Sequence, residues 1–320
     1  MKSEIHNCDC LEFMKGMADK SVDLVLTDPP YNIGIAEWDK IKNYTEWMGD
    51  IFLECQRVLK DNGQLYWWHN DMSQMPQIME WLRLNTRFIF NSFIIWDKGD
   101  FRALSWKNPS EESELRSWFN TCEYCLAYTF QDSTGLSFID KEYVAPRNPF
   151  AIELKRARIK KGVSINEVAE YGKFYGNVNH GGAVTNWENG YNVPLKEQWK
   201  KLCEYLPIER QEYEELRQEY EELRYKHKPA HNHNNLWRSK LTNNGKLHPT
   251  EKPIDLMQRI IITTTDENDT ILDPFMGSGT TGVACKMLNR NFIGIEISPK
   301  YYAIAKTRIE KQTEPMDLKF

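Results

Sequence analysis

Asp28, Pro29, Pro30 and Tyr31 stand together where an apolar run, Val22 to Thr27, comes to an end. The run is short, apolar and β-branched, so it reads as a buried strand that stops abruptly. The two prolines remove backbone donors and fix the direction of the chain. Asn32 and Gly34 then favour a loop. In open α/β sheets, ligands collect at the carboxyl ends of strands. One carboxylate, a rigid turn with free carbonyls and one aromatic face therefore meet where a substrate can lie.

A second cluster, Asp273 to Gly282, reads DPFMGSGTTG and joins a strand to a helix. Gly277, Gly279 and Gly282 fit GxGxxG, a spacing that lets backbone turn tightly and approach a ligand. Glu296 closes the next strand, 19 residues after Gly277, where a carboxylate can hold ribose hydroxyls. No lysine follows the glycines, so this is not a triphosphate loop. A ligand-free turn, a dinucleotide site and an S-adenosylmethionine site all fit the loop taken alone. The Asp-Pro-Pro-Tyr turn discriminates, because hydride transfer has no use for it.

These residues need a frame. Strand patterns cover Glu4–Asn7, Val22–Thr27, Gln64–Trp68, Arg87–Trp96 and Tyr124–Thr129. Between them, Tyr44 to Gly63 has helical spacing and ends in Asn62-Gly63, a helix stop. From about Asn235 the alternation resumes: a helix in PTEKPIDLMQRIIITT, a strand in DTILDPF, a helix in SGTTGVACKMLN and a strand in NFIGIEI. A last helix has Ser298 as N-cap and Pro299 at its first position. Strands alternating with helices predict a mostly parallel α/β sheet. Residues 131–150 are irregular and 150–203 read as several short helices. Residues 204–226 repeat one heptad twice, too few for a coiled coil. Tyr213, Leu216, Tyr220 and Leu223 make a stripe on what reads as a single long helix. The simplest organisation is one α/β domain built from both ends, with a helical domain inserted.

With 320 residues, 41% hydrophobic and 12% aromatic, the chain can build about two cores. No apolar run approaches the roughly 18 residues of a membrane span, and the first ten residues lack a signal peptide's apolar middle. We expect a soluble, intracellular protein. The seven cysteines are scattered, and Cys122 and Cys125 lie in a strand-like run without a second pair, so neither disulfides nor zinc are expected. The histidines of KHKPAHNHNN read as a polar linker, not a metal site. Net charge is −5, yet Phe150–Cys203 carries nine Lys/Arg against five Asp/Glu and Glu204–Arg224 three against eight. A basic segment beside an acidic one is hidden in the average.

TDPPY together with DPFMGSGTT, preceded by LHPTEKP, resembles the amino-DNA methyltransferases. The catalytic motif precedes the cofactor motif, the permuted order of the beta class. The resemblance covers 1–130 and 236–320, and an initial Asp in the turn points to adenine N6 more than to cytosine N4. It implies a Rossmann-like S-adenosylmethionine-dependent sheet, discontinuous over 1–130 plus 236–320, with a helical target-recognition insert at 131–235. It also implies double-stranded DNA as partner, a prokaryotic or phage cytoplasmic setting, and no metal. A restriction endonuclease and a second copy of the chain are further partners that this family admits.

An exocyclic amino group is a poor nucleophile because its lone pair is delocalised into the ring. Asp28 and the Pro29 carbonyl accepting its two hydrogens would favour a pyramidal nitrogen and stabilise the growing positive charge. Pro30 completes the turn and Tyr31 would stack on a flipped base, worth about 1–3 kcal/mol. By resemblance, Asp9 and Cys10 would meet the cofactor's adenine. Asp28, Asp273, Phe275, Gly277, Ser278, Gly279 and Thr280 would line the methionine end. Glu296 would bind ribose, and Thr250, Lys252 and Pro253 would close the pocket. The loop from Asn32 to Tyr44 reads as one that closes over the base.

LKRARIKKGVSINEVAEYG followed by AVTNWENGYNVPLKEQWKKLCEYL resembles a repressor-type helix-turn-helix over 150–203, with the turn lengthened by KFYGNVNHGG. Ser164 and Glu167 form a capping box, and Val168, Ala169, Trp187, Leu195 and Leu202 a small core. The resemblance implies phosphate contacts from Lys155, Arg156, Arg158, Lys160 and Lys161. Thr185, Asn186 and Glu188 would face the major groove. Two other functions are compatible with parts of the chain: a DNA-binding regulator on an inactive enzyme fold, and a methyltransferase acting on RNA or protein glutamine. Intact DPPY and GSG argue against the first, and the insert and the initial Asp against the second.

Overall fold

The computed structural model describes residues 2–34, 39–99, 121–130, 138–139, 144–145, 148–174, 181–228, 234–239 and 251–312. The strands are β1 (Ser3–His6), β2 (Val22–Thr27), β3 (Leu59–His69), β4 (Ile89–Asp97), β5 (Cys122–Thr129), β6 (Phe138–Ile139), β7 (Val144–Ala145), β8 (Leu236–Arg238), β9 (Thr270–Asp273) and β10 (Asn291–Ile295). The helices are α1 (Cys10–Lys15), α2 (Tyr44–Val58), α3 (Met75–Asn85), α4 (Pro149–Lys161), α5 (Ile165–Gly172), α6 (Gly182–Glu188), α7 (Lys196–Tyr205), α8 (Tyr213–Leu223), α9 (Ile254–Thr264), α10 (Thr280–Met287) and α11 (Pro299–Lys311).

The chain divides into two compact units, Met1–Thr129 with Lys226–Phe320, and Phe130–Tyr225. The first re-enters at Lys226, ten residues before the expected 236. Lys226 is fastened there, its ammonium on Asp269 at 2.6 Å and its carbonyl accepting from Gln64 Nε2 at 2.7 Å.

The first unit holds one eight-stranded sheet in the order β1-β10-β9-β2-β3-β5-β4-β8, a mixed α/β fold. Pairs from β1 through β3 are parallel, β5 is antiparallel to both β3 and β4, and β8 is parallel to β4. Leu24, Val25, Leu26, Ile271 and Leu272 are fully buried, as expected for central parallel strands covered on both faces. From β2 the chain moves to β3 on one side; from β9 it moves to β10 on the other. The sheet therefore reverses its winding between β2 and β9, and their carboxyl ends diverge into a crevice.

Helix α2 forms because Tyr44, Met48, Ile51, Cys55 and Val58 recur on one face and all are buried. It ends at Val58, not at Asn62-Gly63. Residues 59–63 already belong to β3, with a register irregularity opposite Val22 and Leu24. Gly63 is needed there, because a Cβ would sit 2.9 Å from the Lys60 carbonyl oxygen and 3.2 Å from that of Asp23. Its Asn-Gly signal marks a bulge. Ser298 occupies the N-cap of α11 with Pro299 following, although its hydroxyl makes no cap bond.

The second unit packs α4 to α8 around Phe150, Leu154, Val168, Trp187, Trp199, Leu202 and Leu216. The Ser164–Glu167 capping box starts α5. Two expectations are corrected here. Leu195 is 67% exposed at the start of α7, and Trp199 and Phe150 fill the core instead. The anticipated long helix is confined to Tyr213–Leu223, because Leu206 and Ile208 turn into the core before it begins. The strands β6 and β7 pair antiparallel in this unit. The tip of the Asn32–Tyr44 loop, the long turn after Phe174 and the histidine-bearing linker at 229–233 lie outside the described residues, as does Thr250.

Candidate active site

Four adjacent strands, β1, β10, β9 and β2, deliver their carboxyl ends to one cavity of about 330 Å³. That volume is within the range of small-molecule sites, roughly 300–1,000 Å³. The exit of β1 supplies Cys8, Asp9 and Cys10, and that of β10 supplies Glu296, Ile297 and Ser298. The exit of β9 supplies Pro274, Phe275 and Gly277, and that of β2 supplies Asp28, Pro29, Pro30 and Tyr31. Asp39, Ile41, Trp47 and Tyr301 complete the wall. The two motifs, more than two hundred residues apart in sequence, share one chamber.

The end around Glu296 is built by backbone. Glu296 accepts the Gly277 N–H at 3.0 Å on one oxygen and the Ser298 N–H at 2.8 Å on the other. A carboxylate has about four acceptor sites, so capacity is left for a pair of hydroxyls. Burial pushes the Glu296 carboxyl up, and these two N–H bonds oppose the shift. Gly277 adopts φ 51°, a region open to glycine, to aim its N–H. Asn7 Nδ2 donates to the carbonyls of Glu296 and Ile297 at 2.7 and 3.1 Å, tying the exits of β1 and β10 together. Asp9 caps α1 by accepting the Glu12 N–H at 3.0 Å and also faces the cavity. Trp47 packs against Phe275 with ring centroids 5.6 Å apart and gives this end apolar walls.

The other end is ionic. Asp28 accepts the Tyr31 hydroxyl at 2.6 Å on Oδ1 and Lys252 Nζ at 2.5 Å on Oδ2. Lys252 also donates to the Tyr31 hydroxyl oxygen at 2.9 Å and lies 3.0 Å from Glu123 Oε2, which pairs in turn with Lys98. Burial pushes the Asp28 carboxyl up and the Lys252 cation opposes it. Burial also disfavours charge on Glu123, but Lys252 and Lys98 outweigh it and hold that carboxyl low. Behind the turn, Tyr44 donates its hydroxyl to the Pro30 carbonyl at 2.5 Å and stands 3.2 Å from His69 Nε2. His69 Nδ1 accepts the Asp71 N–H at 3.0 Å, so its proton sits on Nε2 and donates to Tyr44. Burial pushes His69 down to about 4, keeping it neutral.

Several sequence-identified residues take other places. Asp273 is not on the cavity wall. It is buried behind it, accepting from Thr27 Oγ1 at 2.9 Å, Thr281 Oγ1 at 2.6 Å and the Phe275 N–H at 3.1 Å. Ser278 and Thr280 turn their hydroxyls to Arg308, at 2.8 and 3.4 Å, and do not line the cavity. Gly279 packs on α11, where a Cβ would meet Ala305 Cβ at 2.9 Å. Pro253 is buried at the start of α9, and Lys252 bonds Asp28 and does not itself line the cavity. Tyr31 is buried, packed on His69 at 4.8 Å and bonded to Asp28, so its hydroxyl has a second task besides offering a ring.

Sequence reasoning passed over Trp47, Glu123 and Lys98. Glu123 had a signal: a lone acid in an otherwise apolar strand needs a buried partner. Trp47 had one too, at the edge of the apolar face of α2, one turn after Tyr44.

In the second unit, Lys155 and Asn186 are exposed. Arg156 is exposed and pairs with Glu153 at 3.2 Å; Lys160 pairs with Glu209 at 3.1 Å. Lys161 donates to the Tyr205 carbonyl at 2.5 Å and Thr185 to that of Gly181 at 2.8 Å. Arg158 and Glu188 depart from expectation. They form a two-pronged pair at 2.5 and 3.0 Å that braces α4 against α6, with Glu188 buried and Arg158 half-buried. Among the described residues no helix is long and apolar enough to cross a membrane, and no cluster of three His, Cys, Asp or Glu could hold a metal ion.

Residues 22–307 match a family described as DNA methylase. The chain is 28% identical over 316 residues to the type II methyltransferase M.BglII of Bacillus subtilis, covering 95% of this chain and 68% of the relative. It is 28% identical over 317 residues to the DNA adenine methyltransferase YhdJ of Escherichia coli K12, covering 97% and 83%. The M1.HpyAVI–SAM complex superposes with a TM-score of 0.51 at 22% identity over 96% of this chain and 98% of that one, a likeness of fold.

Proposed function

The chain belongs to the DNA methylase family, and from that premise we propose that it methylates the N6 amino group of an adenine turned out of duplex DNA. S-adenosylmethionine is the methyl donor in this reading. The observation that carries it is the shared cavity: the Asp28 turn and the Gly277 loop face one chamber at the point where the sheet reverses.

The residues present suit that donor. Glu296, held by two N–H groups, has acceptor capacity for ribose hydroxyls, and Asp9 has the chemistry to accept from an adenine amino group. Trp47, Phe275 and Ile41 supply apolar faces, and Asp28 supplies negative charge toward a cation. When bound, S-adenosylmethionine supplies a methyl group activated by its sulfonium.

The chain's own part is to make an amino nitrogen nucleophilic. Asp28 and the Pro29 carbonyl accept its two hydrogens, so the lone pair is released from the ring and aimed into the cavity. Charge developing on nitrogen is stabilised by Asp28, which then accepts the departing proton or passes it to water. Tyr44, by holding the Pro30 carbonyl, keeps the turn rigid. Flipping gives access to an atom that a duplex would otherwise shield. The Phe130–Tyr225 unit is the sequence reader in this account, with exposed Lys155, Arg156 and Asn186 toward DNA.

Adenine is favoured by the Asp that opens the turn and by the similarity to a relative named for adenine. The test is to methylate DNA with labelled S-adenosylmethionine, digest it to nucleosides and identify the labelled one. N6-methyladenine is the expected product. N4-methylcytosine overturns the choice of base, and absence of label in DNA overturns the activity.

A further inference from the structure

We propose that Lys252 is a positioning residue for the reaction, fixing Asp28 as an oriented, charged acceptor, and that Glu123 fixes Lys252 in turn. The inference rests on the function proposed above and deepens it. Asp28 needs one carboxylate orientation to receive an amino hydrogen, and each of its two oxygens is held by a neighbouring donor. Tyr31 donates to Oδ1 and Lys252 to Oδ2, at 2.6 and 2.5 Å. Each oxygen keeps one acceptor site for the substrate.

Lys252 has no freedom to do anything else. Its side chain is 4% exposed, and its ammonium is shared among Asp28, the Tyr31 hydroxyl and Glu123. The rings of Tyr31 and Trp68 stand 5.2 and 5.7 Å from the ammonium and enclose it. A buried lone carboxylate would take up a proton and turn from acceptor to donor. A buried cation at hydrogen-bond distance opposes that. The surplus charge is balanced because Glu123 faces Lys252 on one side and Lys98 on the other. Two acids and two lysines thus form a closed row ending at the turn.

Other titratable groups face this row. His69 on β3 is neutral, Cys125 on β5 and Tyr44 on α2 are kept protonated by burial, and Asp273 is the buried last residue of β9. None supplies a second cation to Asp28. Glu251, adjacent in sequence, is turned away to Arg308 at 2.7 Å.

The experiment compares wild type with K252M, K252R and the charge-balanced double variant K252M/E123Q. S-adenosylmethionine binding by calorimetry verifies that each is folded. The rate of transfer to DNA at saturating substrates is then followed against pH. Loss of the cation raises the Asp28 carboxyl, so the acid limb of kcat moves up by about one to three pH units. At neutral pH kcat falls at least about tenfold while KM and cofactor affinity change little, the signature of an interaction used in the transition state. K252R restores much of the limb. An unmoved acid limb in both methionine variants overturns the proposal and leaves the methyl transfer standing. Should wild type transfer no methyl at all, the function fails first. The positioning claim is then read separately from the Asp28 carbonyl-13C titration, assigned with D28N. A titration unchanged by K252M overturns it.

Discussion

Thr27 Oγ1 donates to Asp273 Oδ1 at 2.9 Å, joining the last residue of β2 to the last residue of β9. This bond stitches together the two strands whose loops diverge to make the cavity. It also leaves a carboxyl buried among hydroxyls with no cation, and burial pushes it up to about 7 from the ordinary 3.8. The folded protein therefore holds a proton that the unfolded chain releases above pH 4. Stability from this group is complete below pH 4 and is lost as pH rises through about 7, by up to roughly 4 kcal/mol. Melting temperature measured from pH 5 to 8 should fall less steeply in Asp273→Asn than in wild type. Parallel curves would remove Asp273 from the pH dependence.

Gly279 has φ 83° and a Cβ there would lie 2.9 Å from Ala305 Cβ. Gly279→Ala should lower stability by about 2–4 kcal/mol through backbone strain and overpacking. S-adenosylmethionine affinity should change little, because Gly279 is off the cavity wall. Urea unfolding and calorimetry check the two halves. Intact stability with lost affinity would return this glycine to the ligand.

Glu296 offers ionised oxygens on two backbone N–H bonds. Glu296→Gln keeps the shape and loses a charged acceptor, worth about 1.5–3 kcal/mol, or roughly 10- to 150-fold in cofactor affinity. Titration calorimetry reads this directly, and a change below about threefold, under 1 kcal/mol, would place the ribose elsewhere.

Arg158 and Lys155 are three residues apart on α4 and should behave oppositely. Arg158→Ala strands the buried Glu188 and should cost about 3–5 kcal/mol of stability. Lys155→Ala should leave stability within about 0.5 kcal/mol and reduce the salt dependence of DNA binding by about one phosphate contact. Thermal melts and salt-dependent binding separate them. A Lys155→Ala variant with an unchanged salt slope would take α4 off the DNA.

Much of the frame was legible because strands and their stops are local. Val22–Thr27 was read with its observed limits, since an acid and two prolines follow a β-branched run. The Asn62-Gly63 signal misled, because bulge and helix stop use the same residues and only the Asp23 carbonyl beside Gly63 distinguishes them. The site divides the same way. Residues identified from loop chemistry, Asp28, Gly277 and Glu296, meet in the cavity. Ser278, Thr280 and Gly279 stand in the same loop yet face α11, because the direction of a side chain in a turn is set by tertiary packing. Lys252 could not have been assigned to Asp28 from sequence, 224 positions away along the chain.

The central claim is that Asp28 acts on an amino group presented to a methyl donor held by the neighbouring exits. Its most direct test is single-turnover methyl transfer to DNA by Asp28→Ala, with S-adenosylmethionine binding measured on the same sample. We predict cofactor affinity within about tenfold (1.4 kcal/mol) of wild type and no transfer above background. Transfer at the wild-type rate would contradict the account.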